Sequence, residues 1–268
     1  MATSTITIDF DQAFEIAVKG VRRASVFMGL GVNAAVDKHF KSYQLSHITN
    51  IQIVPDNLPD DTLDHIKNEF RIWIEASGLR ELSESFSIFL DALHRECLIV
   101  QTVLSRSSLA EIEEKQISFA KEGLPNKLNT LRQRFMVEPK NSNHILTIGR
   151  TRNCLAHRNG IVGIEDLHDK QTLSVKWFGL DLFLETPDGQ VNYFEAIPLE
   201  GLYLPEGGVI KAQFMERRRD FNHGEHVVFS TRDLAEICWF YLQEAQATLS
   251  TAIDYAKKSG VKVASEKT

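Results

Sequence analysis

Apolar residues recur with helical spacing over about eighty residues that start at Pro59, and this run constrains the fold more than any other feature. The spacing predicts a first helix that stops around Ser77 and Gly78, followed by a long second helix that reaches Leu104. The two apolar stripes comprise Leu63, Ile66, Phe70, Trp73 and Ile74, then Leu82, Phe86, Phe89, Leu93, Val100 and Leu104. Stripes of this length are typical of helices that bury one face in a bundle.

Two shorter helical segments complete this part of the chain. One covers residues 109–120, and the next carries leucines at helical spacing from Leu124 to Phe135. Breaks at Gly123 to Pro125 and at Pro139 separate these segments from their neighbours, because proline lacks the backbone donor that a helix interior requires.

The N-terminal part combines one helical pattern with two short extended patterns. A helix is predicted from about Asp11 to a break within residues 28–31. The glycines there imitate a nucleotide-binding loop, but a helix rather than a strand precedes them, so we interpret them as a helix break. Residues 4–10 alternate and predict a short strand, and residues 48–54 predict a strand or an extended connector before a proline.

After Gly160 the apolar spacing changes to a period of two, which predicts a small antiparallel sheet. The inward parity changes near Gly179, which suggests a bulge. A turn at residues 187–190 separates the first two strands. The predicted strands cover residues 173–184, 191–194, 209–214 and 226–229.

The last helical pattern begins at a capping box formed by Ser230 and Asp233 and continues to about Lys258. A helix of this length most simply packs along the long second helix, which makes the sheet an insertion. The predicted fold class is therefore α+β, a mainly α-helical bundle with a small antiparallel β-sheet inserted before the last long helix. We predict a single domain over residues 1–268, with the bundle at 11–160 and 230–258, the β insertion at 161–229 and a flexible tail at 259–268.

Composition narrows the classes of protein to consider. A hydrophobic content of 43% and a charged content of 25% are typical of a soluble globular chain rather than a disordered one. The net charge of -6 lacks the global basic character of a tight nucleic-acid binder, so any RNA contact must be local. The odd number of cysteines, Cys97, Cys154 and Cys238, and the absence of a signal or membrane segment predict a cytoplasmic protein that binds no membrane.

Residues 141–163 hold the densest group of candidate functional side chains. An Asn141 or Ser142 cap, an apolar stripe and a glycine at position 160 predict a helix over residues 142–159. The stripe comprises Ile145, Ile148 and Leu155. Arg152 falls inside it, where a guanidinium is costly unless it reaches water or meets an anion.

At about 100° per residue, Asn153 and His157 share a face of this helix, whereas Arg152 and His157 point about 140° apart. Two arrangements would bring Arg152 and His157 together. Either the last turn loosens before Gly160, or two copies of the helix pool their residues at a shared cleft. Guanidinium, amide and imidazole groups without a carboxylate suit a phosphodiester better than a carbonyl or a metal.

The run Arg152-Asn153-Cys154-Leu155-Ala156-His157, with its continuation to Val162, resembles the signature of the HEPN superfamily (higher eukaryotes and prokaryotes nucleotide-binding). The resemblance implies a helical bundle that dimerises and acts as a metal-independent endoribonuclease. It also implies that Arg152 holds the scissile phosphate, that His157 acts as acid or base, and that Asn153 orients His157.

Five further arginines are candidate substrate-binding residues. Arg150 and Arg158 flank the motif on the same helix, and Arg217, Arg218 and Arg219 form the dense basic patch outside it. The patch is flanked by acidic residues, and a solvated loop is the alternative. Nearby His223 and His226 lack a third ligand, so we predict no metal site and no cofactor.

Two hypotheses follow. The first is a homodimeric endoribonuclease of HEPN type that acts on RNA as a toxin or defence effector, with an antitoxin or regulatory protein as a further partner. The second is a non-catalytic HEPN-like module that binds a nucleotide or a protein. Asn153 beside Arg152 and His157 favours the first, and the acidic overall charge favours the second.

Overall fold

A computed structural model describes residues 8–41, 55, 57–105, 109–168, 171–194 and 207–261. It is mainly helical, with a three-stranded antiparallel sheet before the final long helix. The helices are α1 (Phe10–Val36), α2 (Asp60–Ser105), α3 (Leu109–Ala120), α4 (Leu124–Phe135), α5 (Ser142–Arg158) and α6 (Thr231–Lys258), and the strands are β1 (Thr172–Glu185), β2 (Val191–Phe194) and β3 (Val209–Asn222). The predicted fold class is confirmed.

Helices α1 and α2 pack antiparallel at close range. A Cβ built on Gly20 would lie 2.1 Å from Cβ of Ser85, and one built on Gly78 would lie 2.3 Å from Cγ of Met28. Glycine therefore allows the two backbones to approach where any side chain would collide. Gly31 has the same function against the side chain of Ile74.

This packing corrects two predictions about helix breaks. The predicted breaks at residues 28–31 and at Gly78 are both wrong, since α1 and α2 are continuous through these positions. A helical glycine costs about 1 kcal/mol relative to alanine, and the close contact between the two helices offsets that cost. The strand predicted over residues 4–10 and the extended segment over 48–54 fall mostly outside the described residues, and Phe10 begins α1.

In the sheet, β1 lies between β2 and β3. Residues of β1 and β3 pair one to one from Thr172 opposite Asn222 to Glu185 opposite Val209, so the bulge predicted near Gly179 is wrong. Gly179 instead makes room for the carboxylate of Glu236 on α6. The fourth predicted strand, at 226–229, is reduced to a single bridge between Ile161 and His226. The tail predicted at 259–268 lies outside the described residues from position 262 onwards.

The core joins the helices to one face of the sheet. Leu173, Val175 and Trp177 of β1 are fully buried within the same cluster as the apolar stripes of the helices. Tyr241 of α6 is buried against Phe86 of α2. Its hydroxyl lies 3.2 Å from Oγ of Ser83, and burial raises its pKa to about 12.

Helix α6 begins at the predicted capping box, in which Ser230 accepts from the backbone of Asp233 and Asp233 accepts from the backbone of Ser230. Helix α6 packs against α2, and it also packs against α1. Its contacts therefore extend beyond the predicted packing along the long second helix. None of the described helices has the length and apolar character required to cross a bilayer. Cys97, Cys154 and Cys238 are free and buried.

Candidate functional site

Helix α5 is fixed to the bundle at both ends. At its start, the backbone and the side-chain amide of Asn141 each donate to the buried carboxylate of Glu244 on α6, both at 2.7 Å. Asn141 is the N-cap residue, but its side chain binds α6 rather than capping the helix. At the other end, Asn159 and Gly160 adopt left-handed conformations, and the oxygen of Gly160 accepts from Val227 at 2.8 Å. These contacts at the two ends hold the backbone of α5 in place.

The buried face of α5 is the predicted one, with Ile145, Ile148 and Leu155 in the core. The helix stays regular as far as Arg158, so the last turn does not loosen before Gly160. A loosened last turn, which would bring Arg152 and His157 together within one chain, is therefore absent from α5. The divergence of about 140° between these side chains persists.

Arg152 is only partly exposed, as its place in the apolar stripe predicts. Its Nη1 donates to Oδ1 of Asn153 at 2.9 Å. Its Nε is buried and, among the described residues, has no hydrogen-bond partner. The guanidinium is also close enough to Tyr241 to lower that hydroxyl's pKa, an effect that burial outweighs. An unsatisfied buried donor costs about 1–3 kcal/mol, a cost that an acceptor on a bound ligand would remove.

His157 is exposed one residue before the end of α5. Within the described ranges, neither ring nitrogen has a hydrogen-bond partner. Asn153, predicted to orient His157, instead accepts the hydrogen bond from Arg152. The imidazole of His157 is therefore available to a ligand, while the side-chain amide of Asn153 contacts Arg152.

Arg158 is engaged in an ion-pair cluster. Its Nε donates to Asp166 at 2.8 Å, its Nη2 contacts the other oxygen of that carboxylate, and its Nη1 lies 3.0 Å from Glu165. Asp166 is 3% exposed and also accepts from the backbone of Gly163. The hydrogen bond to Asp166 raises the pKa of Arg158. This geometry favours a structural role for Arg158, in which it fixes the chain after α5.

Whereas Arg158 contacts carboxylates, Arg150 contacts a histidine. Its Nη1 lies 2.8 Å from Nδ1 and 2.7 Å from Nε2 of His168. Among the described residues, no carboxylate pairs with this guanidinium. No local sequence pattern indicates His168, because contact between residues 18 positions apart depends on the turn after α5.

The three arginines of the basic patch lie in β3 and not in a loop. Arg217 pairs with Asp181 and Glu236, and Arg219 pairs with Asp233 at 3.0 Å. Arg218 projects from the opposite face, where its Nε lies 2.8 Å from Asp220. The hydrogen bond to Asp181 raises the pKa of Arg217.

Because side chains alternate between the two faces of β3, the three arginines do not form one basic patch. Arg217 and Arg219 neutralise carboxylates beside α6, and only Arg218 faces the same side as the exposed part of α5. His223 and His226 are both exposed. Within the described ranges, no cluster of three or more histidine, cysteine, aspartate or glutamate residues has the spacing to hold a metal ion.

Comparison of the chain with family models, curated proteins and solved structures finds no match. The candidate site is therefore interpreted from its own geometry and chemistry, with the motif resemblance as an additional argument.

Proposed function

We propose that the protein is a metal-independent endoribonuclease of HEPN type that works as a homodimer. The observation that carries the proposal is the exposed imidazole of His157, whose ring nitrogens have no partner among the described residues, on a helix that presents Arg152 only five residues earlier. An imidazole and guanidinium groups supply a proton-transfer group and anion stabilisation, the two requirements for cleaving a phosphodiester through its own 2′-hydroxyl.

The proposed step is an internal transesterification. His157 accepts the proton of the ribose 2′-OH while that oxygen forms a bond to phosphorus, and the bond from phosphorus to the 5′-oxygen breaks. The leaving oxygen takes up a proton from the solvent, to which His157 returns the proton that it accepted. The products are a 2′,3′-cyclic phosphate and a free 5′-hydroxyl, and the atoms balance without a metal or a redox partner.

The regular helix supports the dimer part of this proposal. Arg152 and His157 diverge by about 140° on an intact α5. Within one protomer they therefore lie on different sides of the helix. A two-fold pairing of α5 helices allows Arg152 of one chain to approach His157 of the other. The buried Nε of Arg152 would gain the acceptor that it lacks within the described residues.

The biological setting of the proposal comes from the motif resemblance. A ribonuclease of this type would act in the cytoplasm as a toxin or defence effector, and a cognate antitoxin or regulatory protein would restrain it. The free, buried cysteines agree with a reducing compartment.

One observation favours the alternative of a non-catalytic HEPN-like module that binds a nucleotide or a protein. An apolar groove of about 500 Å³ lies between α1 and α2. Leu30 on α1 is 71% exposed and Trp73 on α2 is 58% exposed near it. Exposed apolar surface of this kind is typical of protein-binding sites.

The decisive experiment incubates purified protein with labelled single-stranded RNA in the presence of EDTA. We expect cleavage with a 2′,3′-cyclic phosphate on the upstream fragment, identified by mass spectrometry. Cleavage that is lost in EDTA and restored by magnesium would reject the metal-independent mechanism. No cleavage of any RNA, by protein shown to be folded and dimeric, would favour the binding module.

A further inference from the structure

A second feature of α5 is a groove of about 600 Å³ between this helix and the outer face of the sheet. Arg150 lines it from α5, and His168 lines it from the turn that precedes β1. The sheet contributes Lys176 from β1 and Arg218 from β3. These four groups lie along one groove although the protein as a whole is acidic.

The charges in this groove are not fully balanced. Lys176 lies 3.0 Å from Glu216, and Arg218 is paired with Asp220. His144 also faces Glu216, at 3.3 Å, and Ser174 donates to Asp220. The two carboxylates thus neutralise Lys176 and Arg218, and Arg150 remains as a cation without an acidic partner among the described residues.

Arg150 in this groove and His157 lie on the same face of α5. Arg150 and His157 are seven residues apart, so they point within about 20° of each other and are separated by a rise of about 10 Å along the axis. Arg152 lies about 160° from Arg150 and faces away from the groove. Arg150 and His157 of a single protomer therefore lie on the same side of α5, and Arg152 of that protomer lies on the other side.

We propose that this groove binds the RNA backbone next to the scissile phosphate and guides the strand to His157 of the same protomer. Arg150 and His168 hold one phosphate, and Lys176 and Arg218 contact the strand further along the groove. The guanidinium of Arg150 is the strongest donor, since it has no acidic partner among the described residues and a charge-assisted bidentate contact to phosphate displaces no ion pair there. The direction of the strand relative to His157 rests on the proposed function, but phosphate binding in the groove does not.

The test uses the full chain with His157→Ala, so that RNA is bound without being cut. Fluorescence anisotropy with a labelled single-stranded RNA gives the dissociation constant at several salt concentrations. Arg150→Gln removes the charge, Arg150→Lys keeps it without the planar donor pair, and Arg80→Gln is the matched control. Arg80 is an exposed arginine of α2 that pairs with Glu84 and does not line the groove.

We expect Arg150→Gln to weaken binding about tenfold and to lower the slope of log K against log salt by about 0.7, the value for one phosphate contact to a single strand. Arg150→Lys should keep most of that slope, and Arg80→Gln should change neither quantity. Binding by Arg150→Gln equal to that of the Arg80 control would overturn the proposal, as would a parent that does not bind RNA.

The two proposals fail separately. A wild-type protein that binds RNA through Arg150 but does not cleave it rejects the ribonuclease function and keeps the groove. A wild-type protein that cleaves RNA, with Arg150→Gln binding as tightly as the control, rejects the groove and keeps the ribonuclease.

Discussion

The guanidinium of Arg152 donates to the side-chain oxygen of Asn153 at 2.9 Å, so the first two residues of the motif bind each other. Successive residues point about 100° apart on a helix, and the long arginine side chain must fold back to make this contact. Asn153 is therefore placed to hold the guanidinium in position, a different role from the orientation of His157 that the motif resemblance implies.

The exposure of His157 gives the first prediction. His157→Ala should abolish RNA cleavage, with a loss on the order of 10²- to 10⁴-fold expected for a general acid or base. The free energy of unfolding should stay within about 0.5 kcal/mol of wild type, because the side chain is exposed and makes no hydrogen bond within the described residues. A cleavage assay and denaturant unfolding on the same preparation measure both quantities.

The control for that variant is His223→Ala, an exposed histidine in the turn after β3. It should cleave as fast as wild type. Equal cleavage by both variants would remove His157 from the mechanism.

Arg158 provides a test of the structural role inferred from its ion pairs. Arg158→Ala leaves the 3% exposed carboxylate of Asp166 without its cation, and loss of one partner of a buried pair destabilises by about 3 kcal/mol or more. Arg158→Ala with Asp166→Ala should be less destabilised than the sum of the single variants. Denaturant unfolding of the four proteins measures this coupling, and additive effects would show that the pair is not coupled.

Much of the helical architecture follows from the sequence, because the period of the apolar residues depends only on local geometry. The buried stripe of Ile145, Ile148 and Leu155 is an example, and the capping box that starts α6 is another. The break predicted at Gly78 fails because the sequence does not reveal that α1 passes directly over this residue. A glycine selected by close packing and a glycine that ends a helix have the same local pattern.

The candidate site shows a similar division. The half-buried environment of Arg152 could be predicted because its place on the helical wheel conflicts with its charge. The contact between Arg150 and His168 could not, because it depends on how the chain turns after α5. The sequence 216–220 predicts one basic patch, whereas the alternation of β3 places Arg217 and Arg218 on opposite faces.

The packing of α1 on α2 leads to a paired stability prediction. Gly29 and Gly20 both lie in α1, but a Cβ on Gly29 would meet no atom of the described residues within 4 Å, whereas one on Gly20 would collide with Ser85. Gly29→Ala should raise the free energy of unfolding by up to about 1 kcal/mol through helix propensity. Gly20→Ala should lower it by about 1–3 kcal/mol, because the helices must separate. Denaturant unfolding compares the two, and equal effects would contradict the close approach.

His94 makes stability dependent on pH. The ring is 1% exposed, stacks on Phe119 with centroids 3.8 Å apart and hydrogen-bonds to Gln116 at 2.7 Å. Burial lowers its pKa from 6.5 to about 4, so between these values the unfolded chain binds a proton that the folded chain does not. The stabilisation is complete above about pH 6.5 and is lost as the pH falls towards 4, on the order of 3 kcal/mol in total.

The measurement is the free energy of unfolding of wild type and His94→Phe at pH 7.5 and pH 4.5. The variant keeps a ring against Phe119 and should show a smaller decrease on acidification, although it is less stable at pH 7.5 because Gln116 loses its partner. His65→Gln, in an exposed position of α2, serves as the control and should decrease as much as wild type. An equal decrease in all three proteins would show that His94 does not cause the acid sensitivity.

The last prediction concerns the assembly of the site. On an α5 that is regular to Arg158, Arg152 and His157 diverge by about 140° within one chain, so the proposed site combines Arg152 of one protomer with His157 of its partner. An Arg152→Ala chain and a His157→Ala chain should each be inactive alone. Mixed, they form a heterodimer in which one cleft has lost both groups and the other retains both. We expect this heterodimer to recover up to about half of the activity per dimer, and native mass spectrometry verifies that it has formed. A verified heterodimer without activity would mean that each site is built within one protomer, and the groove that leads from Arg150 to His157 would then have to supply the anion-stabilising group itself.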